Sequence, residues 1–192
     1  MNTANYNLEV RCDDVLQSKR FTSDQKNSLD QKTMFEWFLE ADKVFAQYNY
    51  PMILAILEEG IDHEPEWVEH IKKNQHRYII ELHGREHIHY GELGYQELLD
   101  DLFWAKKRIE AEFKVKIHNW YVPFGRKGRN QYAEDVCKLL GMKVWIPDGK
   151  VDSRLWFANK SMPHVNFHFW KQSQIDDTNK ILYELCQLKE QK

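Results

Sequence analysis

Two adjacent carboxylates, Asp13 and Asp14, close the first apolar run of the chain, and seventy residues later comes His83-Gly84-Arg85-Glu86-His87. An Asp-Asp pair with a later His-x3-His can hold one divalent cation and leave a free carboxylate beside it. Borderline cations such as zinc take neutral imidazole nitrogen and carboxylate oxygen readily. Two histidines and one aspartate leave positions open for water and substrate, which is what a hydrolytic metal site needs. Adjacent side chains on an extended segment point in opposite directions, so both aspartates can serve one site only if the chain turns there. An Asx turn at a strand exit would explain the dipeptide equally well. A solvated turn would explain the histidines, and His87-x-His89 is a second candidate pair.

Two further segments carry chemistry-bearing residues. Trp120-Tyr121-Val122-Pro123-Phe124-Gly125 reads as an aromatic strand end running into a Pro/Gly turn, whose backbone N–H groups could meet an oxyanion. His164-Val165-Asn166-Phe167-His168-Phe169-Trp170 alternates strictly, which predicts His164, Asn166, His168 and Trp170 on one face and Val165, Phe167 and Phe169 on the other.

The elements that must position these residues alternate along the chain. Short β-rich runs predict strands at Tyr6–Cys12, Met52–Leu57, Tyr78–Leu82, Ile117–Val122, Lys143–Ile146, Arg154–Ala158 and His164–Trp170. Amphipathic runs predict helices at Thr33–Tyr48, Pro65–Asn74, Tyr95–Phe113, Asn130–Leu140 and Ser173–Lys189. In the third of these, Leu98, Leu99, Leu102, Phe103, Lys106 and Ile109 recur at helical spacing. Gly141 follows Leu139-Leu140 where a helix C-cap glycine belongs. The polar stretch from Gln17 to Lys32 reads as a loop or capping excursion. Strands alternating with helices imply parallel pairing and right-handed crossovers. The expected fold is a single-domain α/β deformed barrel of about seven strands, with active residues at the carboxyl ends of the strands.

Bulk composition narrows the function. A chain of 192 residues suits one well-filled core. A net charge of −3 with both signs interspersed gives no electrostatic footprint for nucleic acid or an anionic membrane. Cys12, Cys137 and Cys186 are odd in number and widely spaced, which points to reduced thiols rather than a disulfide framework. Met1 to Asn7 is polar with no apolar run, so no signal peptide is expected and a cytoplasmic location is. No apolar run approaches the length of a membrane span.

Taken together and in order, these segments resemble the polysaccharide deacetylase (NodB-homology, carbohydrate esterase) family. Its opening TFDDG-like motif reads Arg11-Cys12-Asp13-Asp14-Val15 here, and its H-[ST]-x-x-H reads His83-Gly84-Arg85-Glu86-His87. Its RPPYG-like motif reads Tyr121-Val122-Pro123-Phe124-Gly125, and its final Leu-x-x-His strand resembles Val165-Asn166-Phe167-His168. The resemblance implies a NodB-like barrel that removes acetyl groups from a glycan. It makes Asp13 the general base and His168 the general acid. Asp14, His83 and His87 become the ligands of one divalent cation, zinc by expectation. Phe124 would lend its backbone N–H to the oxyanion. Tyr121, Pro123, His164 and Trp170 would complete the substrate pocket.

Three departures from the family pattern stand out. Tyr121 occupies the position of the arginine that steadies the base, Val15 replaces a glycine, and Leu155 stands where an acid should precede Trp156 in the fourth motif. Without that acid, Asp148 and Asp152 are the nearest carboxylates in sequence that could keep His168 protonated. The expected function is therefore metal-dependent deacetylation of an amino sugar or glycan precursor, in the service of surface polysaccharide synthesis. The alternatives are a catalytically silent barrel that binds glycan or scaffolds a complex, and a different metal-dependent amide or ester hydrolase.

Overall fold

The computed structural model of the chain describes residues 8–17, 32–145 and 164–190. Within them lie strands β1 (Glu9–Val15), β2 (Met52–Leu57), β3 (Tyr78–Gly84), β4 (Asn119–Tyr121), β5 (Lys143–Trp145) and β6 (His164–Phe167). The helices are α1 (Met34–Gln47), α2 (Pro65–Lys73), α3 (Tyr95–Phe113), α4 (Ala133–Leu139) and α5 (Gln172–Glu190). Every strand pairing is parallel, in the order β5-β4-β3-β2-β1-β6, giving a curled half-barrel. The expected strand at Arg154–Ala158 lies outside the described residues, as do the fourth-motif segment Asp152–Trp156, Asp148 and most of Gln17–Lys32.

The period-two pattern of the strands assigns two different jobs to the two faces of the sheet. Val10 and Cys12, Leu54 and Ile56, Ile80 and Leu82, Trp120 and Val122, and Val165 and Phe167 all turn toward the helices, in the main core. The intervening positions form the inner face. There Ile53, Ala55 and Tyr121 pack with Trp145 in a small second cluster. Arg11, Asp13, Glu81, His83 and Asn166 share this inner parity and are all buried. A parallel sheet covered by helices on one side thus leaves its other side for polar groups.

The helices follow their sequence signals closely. Thr33 caps α1 with a capping box: its hydroxyl accepts from the Glu36 N–H at 3.2 Å and its own N–H donates to the Glu36 carboxylate at 2.6 Å. Phe38, Ala41 and Phe45 then bury one face. In α3 the buried stripe is Leu98, Leu102, Ala105, Ile109 and Phe113, whereas Phe103 is exposed. Gly141 adopts φ +69° immediately past α4, as a C′ glycine should.

Some boundaries differ from expectation for identifiable reasons. The helix expected from Asn130 begins at Ala133 because the Asn130 side chain is committed elsewhere. Its amide donates to the carbonyls of Tyr90 and Leu93 at 2.6 and 2.7 Å. The strand expected through Trp170 ends at Phe167. Beyond it the His168 N–H donates to Gln174 Oε1 at 2.7 Å and its carbonyl accepts from the Lys171 N–H at 3.1 Å, which turns the chain into α5. Trp170 therefore does not share the inner face with Asn166. It is 4% exposed and packs its ring against Phe169 and His168, with centroids 5.1 and 4.7 Å apart.

Candidate metal centre and adjoining carboxylate

The end of β1 solves the problem of placing two adjacent aspartates at one site. Arg11 and Asp13 lie on the inner face by strand parity. Asp14 then adopts φ +59° and Leu16 φ +65°, and the register against β2 slips between Cys12 and Val15. This kink swings the next carboxylate to the same side. Left-handed backbone costs a non-glycine residue on the order of 1 kcal/mol, least for Asp and Asn, so strain is concentrated where the chemistry is expected.

Asp14 is 3% exposed and meets both motif histidines with one oxygen. His83 Nε2 lies 3.1 Å and His87 Nε2 3.0 Å from Asp14 Oδ1. One ligand atom from each of these three residues lies within 4.8 Å of the others. His83 projects from the carboxyl end of β3, and its Nδ1 is 2.7 Å from the Tyr121 carbonyl on β4. A carbonyl can only accept, so Nδ1 carries a proton and Nε2 is the nitrogen a cation would take, the usual outer support of a metal-binding histidine. His87 sits on the loop beyond β3. Burial pushes the Asp14 carboxyl up, but hydrogen bonds and charge from His83 and His87 outweigh it and hold the group well below the ordinary carboxylate range.

This donor set fits a borderline divalent cation: one anionic oxygen and two imidazole nitrogens converge, with one tautomer already fixed. His89, the alternative ligand, is not among the residues that converge. Its ring stacks on Phe124 with centroids 3.9 Å apart and planes 7° from parallel.

The loop between the two histidines is tightly constrained. A Cβ on Gly84 would lie 2.3 Å from the Tyr90 hydroxyl, and Gly84 holds φ +153°. Tyr90 cannot yield easily, since its hydroxyl accepts from the Arg85 N–H at 2.9 Å, donates to Asp101 at 2.9 Å, and its ring is fully buried. Gly84→Ala should destabilise the protein by about 1–3 kcal/mol through overpacking. It should also weaken cation binding, because His87 rides on this loop. A thermal melt and a zinc titration read the two effects, and an unchanged midpoint would show that Tyr90 gives way freely.

Asp13 belongs to a different set of contacts. Arg11 Nε and Nη2 donate to its Oδ1 and Oδ2 at 2.5 and 3.0 Å, and Asn166 Nδ2 donates to Oδ2 at 3.0 Å. Burial pushes the Asp13 carboxyl up, but the Arg11 guanidinium, with help from His83 and His168, holds it below its ordinary value. The Arg11 guanidinium in turn lies 4.2 Å from the centroid of the Tyr121 ring. The sequence motifs alone assign Arg11 no role, although a charge two positions before Asp13 on a strand shares its face. Tyr121, expected in the pocket wall, is 4% exposed; its ring lies against Arg11 and its carbonyl supports His83.

The remaining expected residues fall around this centre. Phe124 ends the β4 turn at φ +59° with its ring 41% exposed and edge-on to His87, centroids 4.4 Å apart. Pro123 is buried behind it, and a Cβ on Gly128 would come within 2.0 Å of the Pro123 carbonyl, so that turn tolerates only glycine at 128. His168 follows β6, on the carboxyl side of Asn166. His164 pairs with Glu9 by backbone register, while its side chain lies outside the described residues.

The fold is thus a parallel half-barrel that carries an Asp-His-His cluster and a separate buried carboxylate at the carboxyl ends of its strands. The polysaccharide deacetylase family profile matches residues 31–145, and the chain belongs to that family. Solved structures share the fold. A mutant of BA3943, a CE4 family pseudoenzyme from Bacillus anthracis, with restored enzymatic activity, superposes with a TM-score of 0.70 at 15% identity, covering 97% of this chain and 64% of that one. A family 4 carbohydrate esterase from Bacillus anthracis gives 0.66 at 12% identity, covering 99% and 79%. A family 4 carbohydrate esterase from Streptomyces lividans in complex with acetate gives 0.63 at 13% identity, covering 94% and 88%. The chain thus spans just under two thirds of the first of these proteins. Comparison with curated proteins finds no match.

Proposed function

We propose that this protein is a metal-dependent carbohydrate deacetylase that hydrolyses the acetyl amide of an amino sugar or glycan precursor. The observation that carries this reading is the division of labour between the two aspartates. Asp14 is committed to His83 and His87, and Asp13 is held ionised beside them by Arg11 without joining the cluster.

Asp14, His83 and His87 would hold the cation, for which zinc suits the donor set. When bound, it would supply Lewis acidity toward the acetyl carbonyl and toward an attacking water. Asp13 is the proton acceptor. A carboxylate offers about four acceptor positions. Arg11 and Asn166 fill two on Oδ2 and one on Oδ1. Among the described residues, the remaining position on Oδ1 is the one open to a water proton. As water adds to the acetyl carbon, charge builds on the carbonyl oxygen, and the Phe124 N–H at the sharp turn after β4 is the candidate donor to it. The C–N bond then breaks. His168 gives its proton to the departing amine, and acetate and the free amino sugar are released.

The buried ring of Trp170 against His168 makes the acid's mount rigid on one side. His168→Ala should lower kcat about 10²–10⁴-fold, the usual worth of a positioned acid, with the cation still bound. A variant with unchanged kcat would remove His168 from the reaction.

The proposed setting is the cytoplasm, where the substrate would be a sugar nucleotide, a lipid-linked precursor or a small amino sugar destined for surface polysaccharide. All three cysteines are free, with Cys12 and Cys137 buried, as suits a reducing compartment. Among the described residues no helix is long and apolar enough to cross a membrane. The decisive experiment is acetate release from a panel of N-acetylated sugars and oligosaccharides, with and without chelator. Release that stops with chelator and returns with zinc is the expected result. No release from any substrate by the zinc-loaded protein would turn the reading toward a silent glycan-binding barrel.

A further inference from the structure

Arg11 is a charged residue at 5% exposure in the middle of a strand whose neighbours Val10 and Cys12 are in the core. Burying a guanidinium carries a large desolvation cost, which its partners must offset. Its partners are the Asp13 carboxylate, taken in a two-pronged grip, and the face of the Tyr121 ring. A structural ion pair gains most by joining separate parts of a fold. This one joins positions 11 and 13 of the same strand, so as a staple it holds together what the backbone already holds. What the grip does determine is the rotation of the Asp13 carboxylate, and the Asn166 amide reaching across from β6 restrains the same group from a second direction.

Tyr121 extends this arrangement across the sheet. In the strand order, β4 is separated from β1 by β3 and β2, yet its ring lies on the Arg11 guanidinium at 4.2 Å. That contact is a cation–π interaction in a water-poor setting, where such contacts are strongest. The Tyr121 carbonyl meanwhile fixes His83. One residue of β4 therefore braces both the carboxylate side and the cation side of the centre.

We infer that Arg11 is the positioning residue for the Asp13 base, seated on Tyr121, and that it takes over from β1 the duty of an arginine at the position Tyr121 occupies. The inference deepens the deacetylase reading and rests on it. The geometry makes a specific demand. Because the guanidinium and the Tyr121 ring are in contact, an arginine launched from position 121 reaches the same volume. The duty should therefore be transferable between the two positions.

The test uses the zinc-loaded protein. Arg11→Lys keeps the charge but loses the fork that matches a carboxylate. It should lower kcat about 10–100-fold, as small displacements of reacting groups do. KM should stay within about twofold and zinc stoichiometry should be unchanged, because the loss is one of orientation and not of binding. Arg11→Met should lose more. Adding Tyr121→Arg to it should recover at least about tenfold of kcat, the scale of loss expected from a misplaced group. A structural role predicts a different pattern: full kcat in Arg11→Lys, or recovery of melting temperature without recovery of kcat in the double variant. Either result overturns the inference while leaving the deacetylase reading in place. If the parent releases no acetate at all, the deacetylase reading fails. The inference is then decided by crystal structures of the parent and Arg11→Met. A rotated Asp13 carboxylate supports it, and an unmoved one overturns it. Should Arg11→Met not fold, Arg11→Lys carries the same crystallographic comparison.

Discussion

Asp13→Asn should abolish acetate release while the protein still binds its cation. The loss should be at least the 10²–10⁴-fold or so contributed by a positioned base, because asparagine cannot take a proton from water near neutral pH. The substitution is not conformationally silent, however. Three donors converge on the Asp13 carboxylate, from Arg11 and Asn166. An amide has one oxygen to offer them and brings two N–H donors of its own. Arg11 would be left as a buried cation without its counter-charge, a loss that costs about 3–5 kcal/mol. A lower melting temperature is therefore expected together with the loss of turnover, and circular dichroism at the assay temperature must show a folded protein. Retained zinc with no turnover assigns Asp13 to proton transfer. Loss of zinc from a folded variant would exchange the roles of the two aspartates, and unchanged turnover would remove Asp13 from the mechanism.

Asp14→Ala should strip the cation instead. Asp14 Oδ1 is the atom on which both histidine Nε2 atoms converge, and the only anionic donor in the cluster among the described residues. Its removal leaves two neutral imidazoles. The fall in zinc affinity should exceed the roughly 10–100-fold that follows from disturbing an outer-shell partner alone. Activity should fall with it, and excess zinc should restore part of that activity if the rest of the centre is intact. The backbone adds a smaller effect, since alanine tolerates the left-handed conformation at position 14 less well than aspartate. Titration of the metal-free variant with zinc, followed by calorimetry, reads the affinity directly. Full stoichiometry at unchanged affinity would exclude Asp14 from the ligand set.

Much of this centre was legible in residue types and spacing. His83 and His87, four apart beyond an apolar run, are with the Asp-Asp pair a candidate cation site by residue type and spacing, and the structure brings Asp14, His83 and His87 together. The β–α alternation announces parallel strands, and the parity of each strand announces which side chains face inward. The helix boundaries at Thr33 and Gly141 were legible because capping is a local interaction between residues a few positions apart. The strand end at Phe167 was not. Phe169 and Trp170 continue the run of large apolar side chains, but the chain has already turned, and Phe169 is buried against Phe38 of α1 and Trp67 of α2 rather than by strand pairing.

By itself the sequence determined the donor atoms, the order of elements and the faces on which the donors lie, since these depend on chemistry and on periodicities intrinsic to helices and strands. Only the tertiary structure decided which partners each of the two aspartates meets. The left-handed kink at Asp14 brings both carboxylates to one side, Asp14 to His83 and His87 and Asp13 to Arg11, and no dipeptide signal encodes it. Only the tertiary structure revealed that the guanidinium steadying Asp13 comes from Arg11, seated on a ring more than a hundred residues away, and that Asn166 joins it from 153 positions along the chain. Curling a parallel sheet brings the inner faces of non-adjacent strands into contact. A residue absent from one strand can then be replaced by its neighbour in space, a substitution that becomes visible only once the strands are laid side by side.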